Sequence, residues 1–164
     1  MQFDRLMTFG PARANDVAAV AELYKSVTGL PGCTWNNNYP TVQDAQNDFS
    51  ANCLYVLRGN DSIIGAVSVV PENELDDIVL WHDCSPCREI ARLAVAPEHQ
   101  GHGYGKLMLQ QLFCQLEHNG VRAIHLLVAQ CNPAAIRTYT ALGFTLLGKC
   151  KRYDTDFYIA EKQL

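Results

Sequence analysis

The stretch Arg92-Leu93-Ala94-Val95-Ala96-Pro97-Glu98-His99-Gln100-Gly101-His102-Gly103-Tyr104-Gly105-Lys106 joins an apolar run, Ile90 to Val95, to a helical pattern, Leu107 to Leu116. Glycine alternates through its second half, at 101, 103 and 105. A chain that turns from strand to helix through glycines can aim several backbone N–H groups at one anion. No Cβ blocks the approach, and the first helical amides have no partner inside the helix. The segment therefore reads as a candidate phosphate-binding turn.

Upstream of it, Leu6 falls in a short candidate strand, and Asn15-Asp16 offers an N-cap to a helix carrying Val17, Val20, Leu23, Tyr24 and Val27 up to Gly29. Leu30 to Pro40 is rich in Pro, Gly and Asn and reads as a loop that must place Trp35 and Tyr39. Thr41 can cap a second, short helix with Asp44 in its first turn. Leu54 to Leu57 and Ile63 to Val70 are β-rich runs around Arg58-Gly59-Asn60-Asp61, a hairpin signal. An acidic stretch, Glu72 to Asp77, precedes an expected strand extension at Ile78 to Trp81, the turn Cys84 to Cys87 and the strand Glu89 to Val95.

Downstream, Leu109, Leu112, Phe113 and Leu116 form a helical stripe that stops at Asn119-Gly120, and Ala123 to Val128 returns as a strand. Asn132-Pro133 opens another helix, with Asn at the cap and Pro where its missing N–H costs nothing. Leu142-Gly143-Phe144 closes it, and Thr145 to Leu147 and Phe157 to Ala160 supply the last strands. The order β-α-α-β-β-β-α-β-α-β-β predicts a mixed sheet flanked by helices, in the broad α/β class.

The length of 164 residues, 48% of them hydrophobic, suits one domain over residues 1–164 with a core that needs no disulfide or metal. The start carries Asp4 and Arg5 and lacks signal-peptide character, and no uncharged run approaches membrane-spanning length. A net charge of -4 argues against a nucleic-acid partner, since that affinity comes from clustered Lys and Arg. Seven scattered cysteines read as free thiols in a reducing compartment, so the expected location is cytoplasmic and no membrane partner is expected. Cys84-Ser-Pro-Cys87, with His82 before it, has metal-ligand spacing but no second pair, and reads as a turn.

Glycine turns occur in several nucleotide-binding families, and here the Lys-Ser/Thr ending of a P-loop is absent. The stretch from Arg92 to Gly105 instead resembles the acyl-CoA motif of the GNAT superfamily of N-acetyltransferases, Arg/Gln-x-x-Gly-x-Gly/Ala, met by Gln100, Gly103 and Gly105. Asn132-Pro133-Ala134-Ala135-Ile136-Arg137-Thr138-Tyr139-Thr140-Ala141-Leu142-Gly143-Phe144 resembles the family's Asn-x-x-Ala-x-x-x-Tyr-x-x-x-Gly-Phe segment. The resemblance implies a GNAT-like α/β (α+β) fold with a mostly antiparallel central sheet. It also implies acetyl-CoA as cosubstrate, with no metal.

Carried onto this chain, the resemblance puts the pyrophosphate on the amides of Gln100, Gly101, His102, Gly103, Tyr104, Gly105 and Lys106, and the pantetheine arm beside Leu93, Ala94 and Val95. Asn132, Ala135 and Tyr139 fall on the cofactor side of the later helix. Transfer from a thioester to an amine needs a neutral amine, an oxyanion donor and a proton for the leaving thiolate. Tyr139 suits the last role, since a phenol near pKa ~10 is moderately matched to a thiol near ~8.5. Helix capping alone explains Asn132 equally well.

Glu89 resembles the position where some members carry a catalytic base. Pairing with Arg88 or Arg92 is its other explanation. His99, His102, His118 and His125 look less useful, two in the turn and two at a helix end and in a strand. On the acceptor side the family resemblance brings in Trp35, Tyr39, Glu89 and the acidic stretch Glu72 to Asp77, while the plain reading of the aromatics and the acidic stretch is a loop anchor and a solvated turn. The expected acceptor is a small-molecule primary amine, with a peptide or protein amine or a non-catalytic acyl-CoA sensor as alternatives, and a homodimer is compatible with the family.

Overall fold

The computed structural model describes residues 6–71 and 74–164. Eleven main elements follow one another in the expected order: β1 (Thr8–Pro11), α1 (Val17–Val27), α2 (Val42–Ser50), β2 (Leu54–Arg58), β3 (Ile63–Pro71), β4 (Cys87–Val95), α3 (Tyr104–His118), β5 (Ala123–Ala129), α4 (Pro133–Ala141), β6 (Thr145–Arg152) and β7 (Thr155–Gln163). The strands form one seven-stranded sheet in the order β1-β2-β3-β4-β5-β7-β6. Every neighbouring pair is antiparallel except β4–β5.

Local chemistry sets the element ends. The Asp44 carboxylate accepts the Thr41 backbone N–H at 2.7 Å, closing the start of α2 as expected. Ahead of α1 a 3-10 turn, Ala14–Asp16, intervenes, so Asn15-Asp16 does not cap the helix with its side chains. Asp16 instead accepts the Arg13 N–H at 2.6 Å and pairs with Arg58. Tyr153 and Asp154, with φ of 51° and 59°, make the two-residue turn that lets β6 and β7 run on as one long hairpin.

Two expected strands are displaced. β1 begins at Thr8, and Leu6 is exposed outside it, because the partner strand ends opposite Thr8 at Arg58. Ile78 to Trp81 forms no strand. Segment 74–86 crosses the face of the sheet, where Trp81 stacks on His125 with ring centroids 3.9 Å apart and its indole N–H donates to Leu75 O at 3.0 Å. Leu75 is buried and Trp81 covers the sheet face, while Val79 and Leu80 stay exposed, and the segment adds no strand to the sheet's edge. Of the acidic stretch, Glu72 lies outside the described residues, and Asp77 pairs with Arg152 at 2.6 Å.

Helices cover both faces. Leu109, Leu112, Phe113 and Leu116 of α3 pack with Val67, Ile90, Ile124 and Leu126 on one side. On the other, Val20, Leu23 and Tyr24 of α1 pack with Leu54, Val56, Ala66 and Ala94. α3 lies directly on β3 at Gly65, where a Cβ would stand 2.8 Å from Met108 Cε and 3.0 Å from Ala94 O. That contact places the N-terminus of α3 just past the end of β4.

β4 carries the irregularity that matters. Its register with β3 shifts between Ser68↔Ala91 and Ala66↔Ala94, and Arg92 takes φ 46°. β4 and β5 pair only through Cys87↔Ala123, Arg88↔Ile124 and Glu89↔His125, so they part from Ile90 onward. The bulge is pinned by Asp48 of α2, which accepts Arg92 Nε at 2.8 Å, Arg92 Nη2 at 2.7 Å and Ser68 Oγ at 2.5 Å. The two side chains are only 14% and 8% exposed. Removing one partner of such a pair leaves an uncompensated charge, costing about 3 kcal/mol, whereas replacing both with apolar groups costs far less. Asp48→Ala is therefore expected to lower stability by about 3 kcal/mol in urea denaturation. Adding Arg92→Met should recover part of that loss.

Candidate active site

The fork between β4 and β5 opens into a cleft of about 670 Å³. Ile90 to Val95 and Leu127 to Ala129 form its walls, the glycine turn and the start of α3 close one end, and Leu30 to Trp35 roof it. A larger, shallower depression of about 830 Å³ lies elsewhere, between α1 and the β2–β3 turn, and it has neither parted strands nor the glycine turn.

At the closed end, Gly101 and Gly103 have φ of 76° and 81°, and a Cβ built on either meets nothing within 4 Å. Only glycine takes up such dihedrals at no steric cost, and the open space permits close approach of a ligand. Gly103 is the N-cap of α3 and has no side-chain cap, so the first-turn amides at Tyr104, Gly105 and Lys106 point out of a 15-residue helix. Gln100 holds the turn to β4 by donating Nε2–H to Val95 O at 3.0 Å. His102 turns back on the loop, with Nδ1 2.9 Å from Gln100 O, and is not part of the lining. Lys106 and Arg137, both exposed, line the cleft as its cations. This end therefore fits a polyphosphate.

α4 meets the cleft with Asn132, Ala135 and Tyr139. Asn132 Oδ1 accepts the Ala135 N–H at 3.1 Å, which is the capping geometry. Tyr139 is 7% exposed and packs edge-on to Phe144 at 5.4 Å. Burial pushes its phenol well above the ordinary value of 10.0, so it stays protonated and is a weaker acid than a free phenol. Leu93, Ala94 and Val95 line the cleft, and the strand edge they lie on lacks a ladder partner on the β5 side.

The acceptor-side expectations divide. Trp35 lines the cleft, held edge-on to Tyr24 at 5.4 Å. Tyr39 does not; its hydroxyl accepts Arg92 Nη1–H at 2.9 Å and so belongs to the bulge lock. Glu89 stands one residue before the lining begins, at the last β4–β5 pair, opposite His125. Arg92 is engaged by Asp48, and Arg88 Nη1 donates to Cys87 O.

A constellation that sequence reasoning passed over lies behind Glu89. His125 Nε2 is 2.8 Å from Glu161 Oε2, with both side chains 3% exposed. The other oxygen of Glu161 is 2.5 Å from His82 Nδ1, and Oε2 also accepts the His82 backbone N–H at 3.0 Å. The available signal was His125, the one ionisable residue of the apolar strand β5, and Glu161, directly after Tyr158-Ile159-Ala160 in β7. Among the described residues, no three His, Cys, Asp or Glu side chains are grouped to hold a metal ion, and no helix is long and apolar enough to cross a membrane.

A model of the acetyltransferase (GNAT) family matches residues 19–144. The chain belongs to this family. Its relatives include the [ribosomal protein bS18]-alanine N-acetyltransferases of Haemophilus influenzae, 32% identical over 71% of this chain and 69% of that protein, and of Haemophilus ducreyi, 34% identical over 49% of this chain. The matched region spans 57% of the length of the latter. Among solved structures, the putative acetyltransferase yncA of Salmonella typhimurium with its cofactor acetyl-CoA superposes with a TM-score of 0.78, covering 97% of this chain and 94% of that one at 22% identity. The Escherichia coli ribosomal-protein-S18-alanine N-acetyltransferase gives 0.71, covering 96% and 94% at 21% identity. At these identities the superpositions speak for the fold: a mixed α/β fold with a mostly antiparallel sheet, as expected.

The fit of the glycine turn to a polyphosphate can be tested by substitution. Gly103→Val forces a β-branched residue to φ 81°, a strain of about 1–2 kcal/mol borne by the turn. Coenzyme A affinity measured by calorimetry is expected to fall about tenfold or more, with only a few degrees lost in thermal midpoint.

Proposed function

We propose that this chain transfers the acetyl group of acetyl-CoA to a primary amine. The observation that carries the reading is the β4–β5 fork, which leaves main-chain groups unpaired in a cleft that ends on the glycine turn. The amides from Gln100 to Lys106 hold the pyrophosphate, and the edge of Leu93 to Val95 holds the pantetheine arm. A backbone N–H of that edge faces the thioester carbonyl and stabilises the charge that develops on its oxygen. Acetyl-CoA supplies an activated acyl group and a thiol leaving group.

Glu89, at the apex of the fork, takes a proton from the acceptor ammonium, and Tyr139, held protonated by burial, gives one to the departing sulfur. Asn132 acts through the α4 cap that orients Tyr139. Trp35 offers an apolar and cation-binding wall to the acceptor. The names of the Haemophilus relatives support a polypeptide amino terminus as acceptor, ahead of the small-molecule amine that the sequence alone put first.

Thiol release from acetyl-CoA over a panel of N-terminal peptides and small amines tests the activity. Acceptor-dependent release is expected, and binding of acetyl-CoA without it would instead favour an acyl-CoA sensor. Tyr139→Phe should lower kcat about 10²–10³-fold and leave the acetyl-CoA Kd within about twofold. Because the folded-state pKa of Tyr139 is raised, its proton is retained through pH 10 and lost only above it. A pH–rate profile is therefore expected to show no alkaline fall due to Tyr139 below pH 10.

A further inference from the structure

We propose that His125, Glu161 and His82 form a proton relay that carries the acceptor's proton from the apex of the β4–β5 fork to the protein surface. The inference rests on the acetyl-transfer reading. Conversion of an ammonium and a thioester into an amide and a thiol releases one proton per turnover. Of the two protons the nitrogen loses, one replaces the proton that Tyr139 gives to sulfur, and the other must leave the site.

The structure links His125, Glu161 and His82 by short contacts, and strand pairing sets Glu89 beside the start of that route. Glu89 and His125 are opposite one another in the last β4–β5 pair, and paired residues of adjacent strands project to the same face. His125 is buried beneath Trp81, which stacks on its ring at 3.9 Å. Its Nε2 is 2.8 Å from Glu161 Oε2, and Glu161 Oε1 is 2.5 Å from His82 Nδ1. The His82 side chain is 63% exposed, so the chain of contacts ends in water. Each transfer moves one proton: ammonium to the Glu89 carboxylate, Glu89 to the His125 imidazole, His125 Nε2–H to Glu161, Glu161 to His82 Nδ1, and His82 Nε2–H to solvent. Imidazole suits the two histidine steps because its unperturbed pKa lies near neutrality.

A buried carboxylate that served only to fix the strands would need one partner. Glu161 has two imidazoles, one on each oxygen, and one of them belongs to the crossover segment 74–86. The titratable groups facing His125 are Glu89 and Cys87 from their shared face of β4, Glu161 from β7, and His82 and Cys84 from the crossover, where Gln163 Nε2 lies 3.3 Å from Cys84 Sγ.

The test uses the full chain with His82→Asn, Glu161→Gln and Glu89→Gln. Histidine ring resonances followed by NMR across pH should show His82 and His125 titrating as a coupled pair in the wild type and separately in Glu161→Gln. Independent titration in the wild type would overturn the relay, whether or not an acceptor has been found. In turnover of acetyl-CoA with a peptide bearing a free N-terminal alanine, His82→Asn should lower kcat about tenfold in dilute buffer. It should leave KM for acetyl-CoA unchanged and be rescued by added imidazole. A merely structural His82 would not respond to buffer, and wild-type kcat in His82→Asn would also overturn the relay. If Glu89→Gln retains full turnover while His82→Asn is impaired, the relay stands with His125 as first acceptor and the role of Glu89 falls. If Glu89→Gln is inactive and His82→Asn is not, the relay falls and the base assignment stands.

Discussion

The ion pair between Arg92 and Asp48 holds the geometry on which the site depends. A continuous sheet pairs its backbone groups with one another and leaves none for a ligand. Here β4 abandons β5 after Glu89, and the bulge that goes with this forces Arg92 to a positive φ. An L-residue stays there only when its surroundings over-determine it. The bidentate clasp by Asp48, backed by Ser68 and Tyr39, is that surrounding, and it ties the fork to α2. α3, seated on β3 through Gly65, then brings its N-terminus to the end of the opened strand.

The two faces of the sheet beyond the fork are used differently. α3 and α4 cover one side with apolar packing, including Tyr139 against Phe144. On the other side α1 and α2 reach only the β2–β4 half, and segment 74–86 crosses toward β5, β7 and β6 through Trp81, His82 and the Asp77–Arg152 pair. This second cover is the polar one. It places Glu161 between two histidines, one buried and one at the surface, directly behind the apex where the strands separate.

Much of this was legible from local pattern. Period-3.6 stripes gave α1 and α3, Asn132-Pro133 marked α4, and alternating glycines marked the turn, because each rests on neighbours within a few residues. Ile78 to Trp81 misled for the same reason. Its apolar residues satisfy a strand pattern, and nothing local tells that Trp81 packs on a sheet face while Val79 and Leu80 stay exposed. Tyr39 shows the same limit: its ring fits a ligand surface or a loop anchor by local pattern alike, and the structure gives its hydroxyl to Arg92, a residue 53 positions away.

Sequence by itself determined the order of elements, the glycine turn ahead of α3, the capping of α4 and the presence of a phenol on the same face of that helix as its cap residue. These are short-range properties of backbone and side chain. The tertiary structure decided where β4 leaves β5, that Asp48 clasps Arg92 from 44 positions away, and that His125 has a carboxylate partner 36 positions further on. Those are pairings across the sheet, and register between distant strands follows from how all the layers pack together, which no local window of the chain contains.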